Sequence, residues 1–204
     1  MSLLPRYALI FGLAAFAATP ANAALFVYAG SLTGAQESPP TGSPGTGSTI
    51  VTYDDVAHTL HVQVTFSGLI GNTTASHIHV REDPSLPNGG VATTTPTFAG
   101  FPLGVTSGTY DNILDLTMSS SYNPAFITLH GGTIGGAEAA LVAALADSRT
   151  YLNVHSTVNT GGEIRAALVA VPEMSSWAMM IIGFAGLGFA IRYGRRAGSL
   201  STSG

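Results

Sequence analysis

Between residues 58 and 66 apolar and polar positions alternate: Leu60, Val62, Val64 and Phe66 fall on one side of an extended chain, and Thr59, His61, Gln63 and Thr65 on the other. A period of two marks a half-buried antiparallel strand, because successive side chains of a strand point to opposite faces. The same reading predicts strands at 25–32, around Ile50 and Thr52 as far as Asp54-Asp55, through Ala75–Val80, at 150–156 and at 162–169. A short strand at 91–95 and one or two more between 107 and 129 complete the set. Turn chemistry separates them: Pro39-Pro40, a Gly/Ser/Pro/Thr stretch at 42–47, Gly71-Asn72, a loop-rich segment at 81–108, and Asn159-Thr160-Gly161. Only residues 136–146 break the pattern. There Ala137, Ala140, Leu141, Ala144 and Leu145 recur at helical spacing and Glu138 sits near the positive end, which predicts one short helix over a sheet edge or an open end. Many short strands and one helix predict an all-β chain folded as an antiparallel β-sandwich.

Three of these strands carry chemistry on the face away from the core. His77 and His79 share a face opposite Ile78 and Val80, Asn153 and His155 share one opposite Leu152 and Val154, and alternation puts Glu163 and Arg165 together opposite Ile164 and Ala166. Histidines at i and i+2 stand about 6.5–7 Å apart along a strand. If 150–156 is a neighbour, His155 completes an open three-histidine site suited to zinc or copper, with Glu163 or Glu37 as a fourth ligand or supporting group. His61 lies on the solvated side of its strand and is read as a surface residue.

Charge and composition narrow the possibilities. From residue 24 to 171 ten acidic residues face three arginines, Arg81, Arg149 and Arg165, and lysine is absent, a net of −7 with histidine neutral. Such a domain repels a phosphate backbone, so nucleic acid is not an expected partner. With no cysteine, disulfides, thiolate metal sites and thiol nucleophiles are excluded. No Gly-x-Ser-x-Gly elbow occurs, and Ser76 faces away from His77, so a serine hydrolase finds no support.

The two ends read as targeting segments. Arg6, an apolar run from Tyr7 to Ala18 and the small-x-small Ala21-Asn22-Ala23 predict a signal peptide over 1–23, cleaved after Ala23. At the far end, Trp177 to Ile191 is just long enough to span a bilayer as one helix, and Arg192, Arg195 and Arg196 follow it, as the positive-inside rule wants for a domain held outside. With Val171-Pro172-Glu173 ahead of the span, the stretch 171–197 resembles a PEP-CTERM sorting signal, Met174 standing where the usual motif has a second proline. That resemblance implies an exosortase-type enzyme as a partner acting near Pro172 and Glu173, and a membrane-anchored precursor passed to the cell surface or the extracellular matrix. Exopolysaccharide or surface proteins are then its expected company. Residues 198–204 form a tail.

Ala35-Gln36-Glu37-Ser38-Pro39-Pro40, Thr74-Ala75-Ser76-His77-Ile78-His79, Tyr151-Leu152-Asn153-Val154-His155-Ser156 and Gly161-Gly162-Glu163-Ile164-Arg165-Ala166 together resemble the chordin-type (CHRD) domain over 24–170. Ala166 stands where that family usually has glycine. The resemblance implies an extracellular, immunoglobulin-like β domain and no particular reaction. Three readings stay open at this point: a binding module in which Glu37, Asn153, Glu163 and Arg165 are structural, Glu163 and Arg165 bridging loops, a zinc or copper site on His77, His79 and His155, and, remotely, a metalloenzyme with a dismutase-like sandwich.

Overall fold

Strands form close to where the alternation lies. The computed structural model describes residues 24–172, and within them the chain runs β1 (Leu25–Thr33), β2 (Thr46–Asp54), β3 (Thr59–Ser67), β4 (Thr73–Val80), β5 (Gly90–Val91), β6 (Gly108–Asp115), α1 (Pro124–Leu129), α2 (Ile134–Ala146), β7 (Thr150–Ser156), β8 (Ile164–Ala167) and β9 (Val169–Ala170). The predicted signal peptide with Ala23, and the sorting segment from Glu173 onward, lie outside the described residues, of which Pro172 is the last. Among the described residues no helix is long and apolar enough to cross a membrane.

The all-β expectation holds, but the strands make one curled sheet in which hydrogen bonding passes unbroken in the order β5-β4-β7-β8-β1-β2-β3-β6. All pairs are antiparallel. Strand β1 joins the two limbs. Along one edge it pairs with β2 over its whole length, and along the other Thr33 meets Arg165 of β8 while Tyr28 and Ala29 meet Ala170 and Val169 of β9. Between these contacts sits Gly30, where an added Cβ would stand 2.3 Å from the Ala167 carbonyl oxygen. Glycine there lets β1 and β8 close up, and the sheet curls through the junction instead of dividing into two.

The concave side holds one core. Leu32, Leu152, Val154, Ile164 and Leu168 from one limb and Val51, Val62, Val64, Phe66 and Leu114 from the other belong to a single buried cluster, closed by Ala137, Leu141, Ala144 and Leu145 of α2. Helix α2 begins two residues ahead of its predicted start because the Thr133 side chain accepts the Gly136 amide and caps it there.

Two expectations need correction. The segment 107–129 is not all strand: after β6 it forms α1, because Asn123 caps the first turn by accepting the Ala125 amide and Pro124 takes the one position where a missing N–H costs nothing. The domain therefore has two helices, not one. The loop-rich segment is also less peripheral than its prolines suggest. Phe98 and Phe101 are buried, stacked on Tyr110 and Phe66 with ring centroids 5.4 and 5.6 Å apart.

Strand β7 is the centre of one limb, with every residue buried. Its core side is Leu152 and Val154, and its other side, with Tyr151, Asn153 and His155, is covered by loops. Truncating Leu152, which is fully buried, is expected to cost about 3 kcal/mol in urea unfolding. Ile113→Ala, at an exposed position of β6, should stay within about 0.5 kcal/mol of the parent.

Candidate metal centre

The register of β4 on β7 builds the site. Ala75 faces His155, His77 faces Asn153 and His79 faces Tyr151, so the three histidines occupy neighbouring places on one face of two hydrogen-bonded strands. One ring nitrogen from each lies within 4.8 Å of those of the other two. The Nε2 atoms of His77 and His155 are 2.9 Å apart, against about 3.4 Å between ligands of a tetrahedral ion with bonds of about 2.1 Å. All three side chains are buried.

Backbone carbonyls decide which nitrogen carries the proton. His77 Nδ1 lies 3.2 Å from Pro96 O, His79 Nδ1 2.9 Å from Gly89 O, and His155 Nδ1 2.9 Å from Thr160 O. A carbonyl oxygen only accepts, so each Nδ1 is the N–H and each Nε2 keeps its lone pair. Nε2 of His79 has no partner, and the close approach of His77 and His155 sets one lone pair against another. With the protons on Nδ1 no donor lies between those two nitrogens, and the three rings form a group that could hold a metal ion. Outer hydrogen bonds that fix tautomer and ring orientation are what a histidine metal site requires.

Charge agrees with this. Burial, with the neighbouring rings adding to it, pushes His77 down to about 3, and burial pushes His79 down to about 4, with His155 and Arg165 working in the same direction. His155 is lowered as well, by burial first and Arg165 after. All three rings are neutral at ordinary pH, the form in which imidazole binds a metal. The other three histidines each face a carboxylate: His58 meets Glu138 at 2.7 Å, His61 meets Asp111 at 2.6 Å and His130 meets Glu82 at 3.1 Å. His61 is thus a surface residue, as its strand position predicts.

Of the other residues singled out by sequence, Glu37, Asn153 and Arg165 join the histidine face and Glu163 does not. Arg165 lies opposite Asn153 in the β7–β8 register, donates to Glu37 Oε2 at 2.8 Å, and also donates to Asn88 Oδ1 and Pro87 O. Asn153 stands beside both Glu37 and His79, yet neither atom of its amide completes a hydrogen bond of good geometry, and Glu37 Oε1 is also without a partner. Gly162, at φ +129°, packs against this group so closely that a Cβ would come 2.4 Å from Glu37 Oε1 and 2.7 Å from Asn153 Nδ2. Only glycine combines that backbone with that approach.

Glu163 is a correction to the expected fourth ligand. It precedes β8 at a bend, so alternation stops short of it and its carboxylate turns away from Arg165. Oε1 accepts from Ser43 Oγ and the Ile70 amide, both at 2.6 Å, and Oε2 from the Gly71 amide at 3.2 Å. The group is a fully buried anion that pins three loops. Burial would raise its pKa, but hydrogen bonds from Ser156, Ser43, Ile70 and Gly71 outweigh that and hold it below the ordinary 4.5.

Tyr151 is the residue that sequence reasoning passed over. It lies flat on His79, with centroids 4.7 Å apart and planes 6° apart, and the Arg165 guanidinium carbon stands 4.0 Å from its ring centre. Its hydroxyl accepts the amide of Gly89, whose carbonyl holds His79. The signal was present, since Tyr151 shares the period-two face of Asn153 and His155.

Residues 28–168 match the CHRD domain, and the chain belongs to that family. Its members are non-enzymatic binding domains, extracellular as a rule. No curated protein and no solved structure matches the chain.

Because Glu163 is more acidic folded than unfolded, its stabilising contribution is complete above about pH 4.5 and disappears as pH falls through the lowered folded value. Glu163→Gln, which turns an amide N–H toward other donors, is expected to lose about 1–3 kcal/mol at pH 7. The gap between parent and variant should narrow in urea melts carried below pH 4.

Proposed function

We propose that this domain is an extracellular metal-binding module, holding one zinc or copper ion on His77, His79 and His155. The observation that carries this reading is the set of three buried imidazoles whose Nδ1 protons are all committed to carbonyls, so that the lone pairs left over face one another. Three neutral nitrogens suit either metal. They leave a fourth position for a water or an incoming ligand, and the unsatisfied amide of Asn153 stands beside His79. Glu163 takes no part. In a family of non-enzymatic domains, the ion is best understood as a structural centre or as the means of holding a ligand.

The full chain is expected to retain about one zinc or copper per molecule after mild dialysis, and His79→Ala, with its circular dichroism unchanged, to retain almost none. Elemental analysis of both proteins decides the matter. An empty parent protein would end the metal reading and leave the histidines as a structural cluster.

The address follows from the ends of the chain: a cleaved signal peptide, then a sorting segment acted on by an exosortase-type enzyme. Replacing Pro172-Glu173 with Ala-Ala should leave the protein in the membrane fraction while the parent is released. Equal release of both would remove the sorting reading, and retention of both in the membrane would leave a plain anchor.

A further inference from the structure

Among the described residues there are three arginines, and each borders β7: Arg81 follows β4, Arg149 precedes β7 and Arg165 lies opposite its middle residue, Asn153. Arg81 extends the β4–β7 ladder by one step, its amide donating to Arg149 O at 2.9 Å, and Arg149 Nη1 donates back to Arg81 O at 3.0 Å. From β8 the Arg165 guanidinium lies over the Tyr151 ring, and with Arg81 it lines one hollow.

The three are not equally occupied. Arg149 pairs with Asp147 at 3.4 Å and Arg165 with Glu37 at 2.8 Å. Among the described residues Arg81 has no carboxylate partner. It gives one Nη2 proton to Ser148 O at 2.8 Å, and its Nε–H, like that of Arg165, finds no acceptor in the protein. Arg81 and Arg165 together line an open hollow of about 250 Å³. Its walls are Pro87, Ala167 and Tyr151, with Gln36 and Ser38 among the other lining residues. Tyr151 separates the hollow from the histidines: β4 brings His79 to it from one side and β8 brings Arg165 from the other.

We infer that this hollow is a second binding site, for the carboxylate of a small organic acid. One uncompensated guanidinium supplies a single positive charge, which matches a monoanion better than a phosphate or sulfate. Guanidinium and carboxylate are planar groups that pair through two parallel hydrogen bonds. Proline, alanine and the tyrosine ring offer the carbon body of the acid a surface that an inorganic ion cannot use. At a size below the roughly 300 Å³ of drug-sized pockets, the hollow takes a body no larger than one sugar ring or one amino acid. A sugar acid and a free chain-end carboxylate share this chemistry. The inference does not depend on a metal being bound.

Calorimetric titration of the full chain at constant ionic strength tests it, with sodium glucuronate and N-acetylalanine as the two carboxylate probes and glucose and sodium phosphate as controls. Saturable binding of at least one carboxylate is expected, with glucose inert and phosphate at least tenfold weaker. Arg81→Gln should weaken that binding tenfold or more. Ala167→Glu, an exposed position that places a carboxylate of the protein's own at the hollow, should abolish it and also covers the case in which the arginine variant does not fold. The inference is overturned if neither carboxylate binds, if glucose binds as well as glucuronate, if phosphate binds as tightly as the carboxylates, or if a folded variant keeps the parent's affinity. Whichever carboxylate binds more tightly identifies the source.

Discussion

The register of β7 between β4 and β8 is the constraint on which the rest of the domain depends. With Leu152 opposite Ile78 and Ala166, the apolar residues of three strands enter the core together, and Tyr151, Asn153, His155, His77, His79 and Arg165 are carried to the other side as one group. A slip of one residue would exchange the two faces and put imidazole and guanidinium into the hydrocarbon. Apolar burial of roughly 25 cal/mol per Å² therefore holds the polar face in place from behind.

That second face is unusual in being covered. Loops carrying Glu37, Gly89, Pro96 and Thr160 close over it, so its polar groups lose water and must find partners within the protein. Each histidine obtains one from a loop carbonyl. Arg165 obtains Glu37, Asn88 and Pro87, and Tyr151 supports both Arg165 and His79. On this face the account fails to close at Nε2 of His79, the amide of Asn153, Oε1 of Glu37 and Nε of Arg165. Several unmatched buried polar atoms thus lie together on this face, in a domain that satisfies its other buried carboxylate fully.

Glu163 shows the opposite solution for a buried charge. No cation meets it, yet two backbone amides and serine hydroxyls hold it ionised, and its carbonyl takes the Thr41 hydroxyl as well. The loops after β1, β3 and β7 converge on this one carboxylate. It acts as an internal tie for the end of the limb that carries the histidines, which explains why a charged residue beside a ligand-rich strand need not be a ligand.

Much of this was legible in the chain. Period two located β3, β4, β7 and β8, and placed His77 with His79 and Asn153 with His155, because alternation is a local property of extended backbone. The helical run ending at Ala146 was legible for the same reason. Alternation failed at Glu163, where a bend interrupts the strand, and at Pro124–Leu129, where a cap and a proline outweigh a β-rich neighbourhood. Tertiary structure alone decided that the strands form one sheet through β1, that β7 lies between β4 and β8, and that loop carbonyls leave three Nε2 lone pairs facing inward. It alone brought Arg81 and Arg165, 84 residues apart, to one hollow. The physical reason is range: side-chain facing is set by a residue and its immediate neighbours, whereas strand order and the meeting of loops are set by how the whole apolar surface is buried at once.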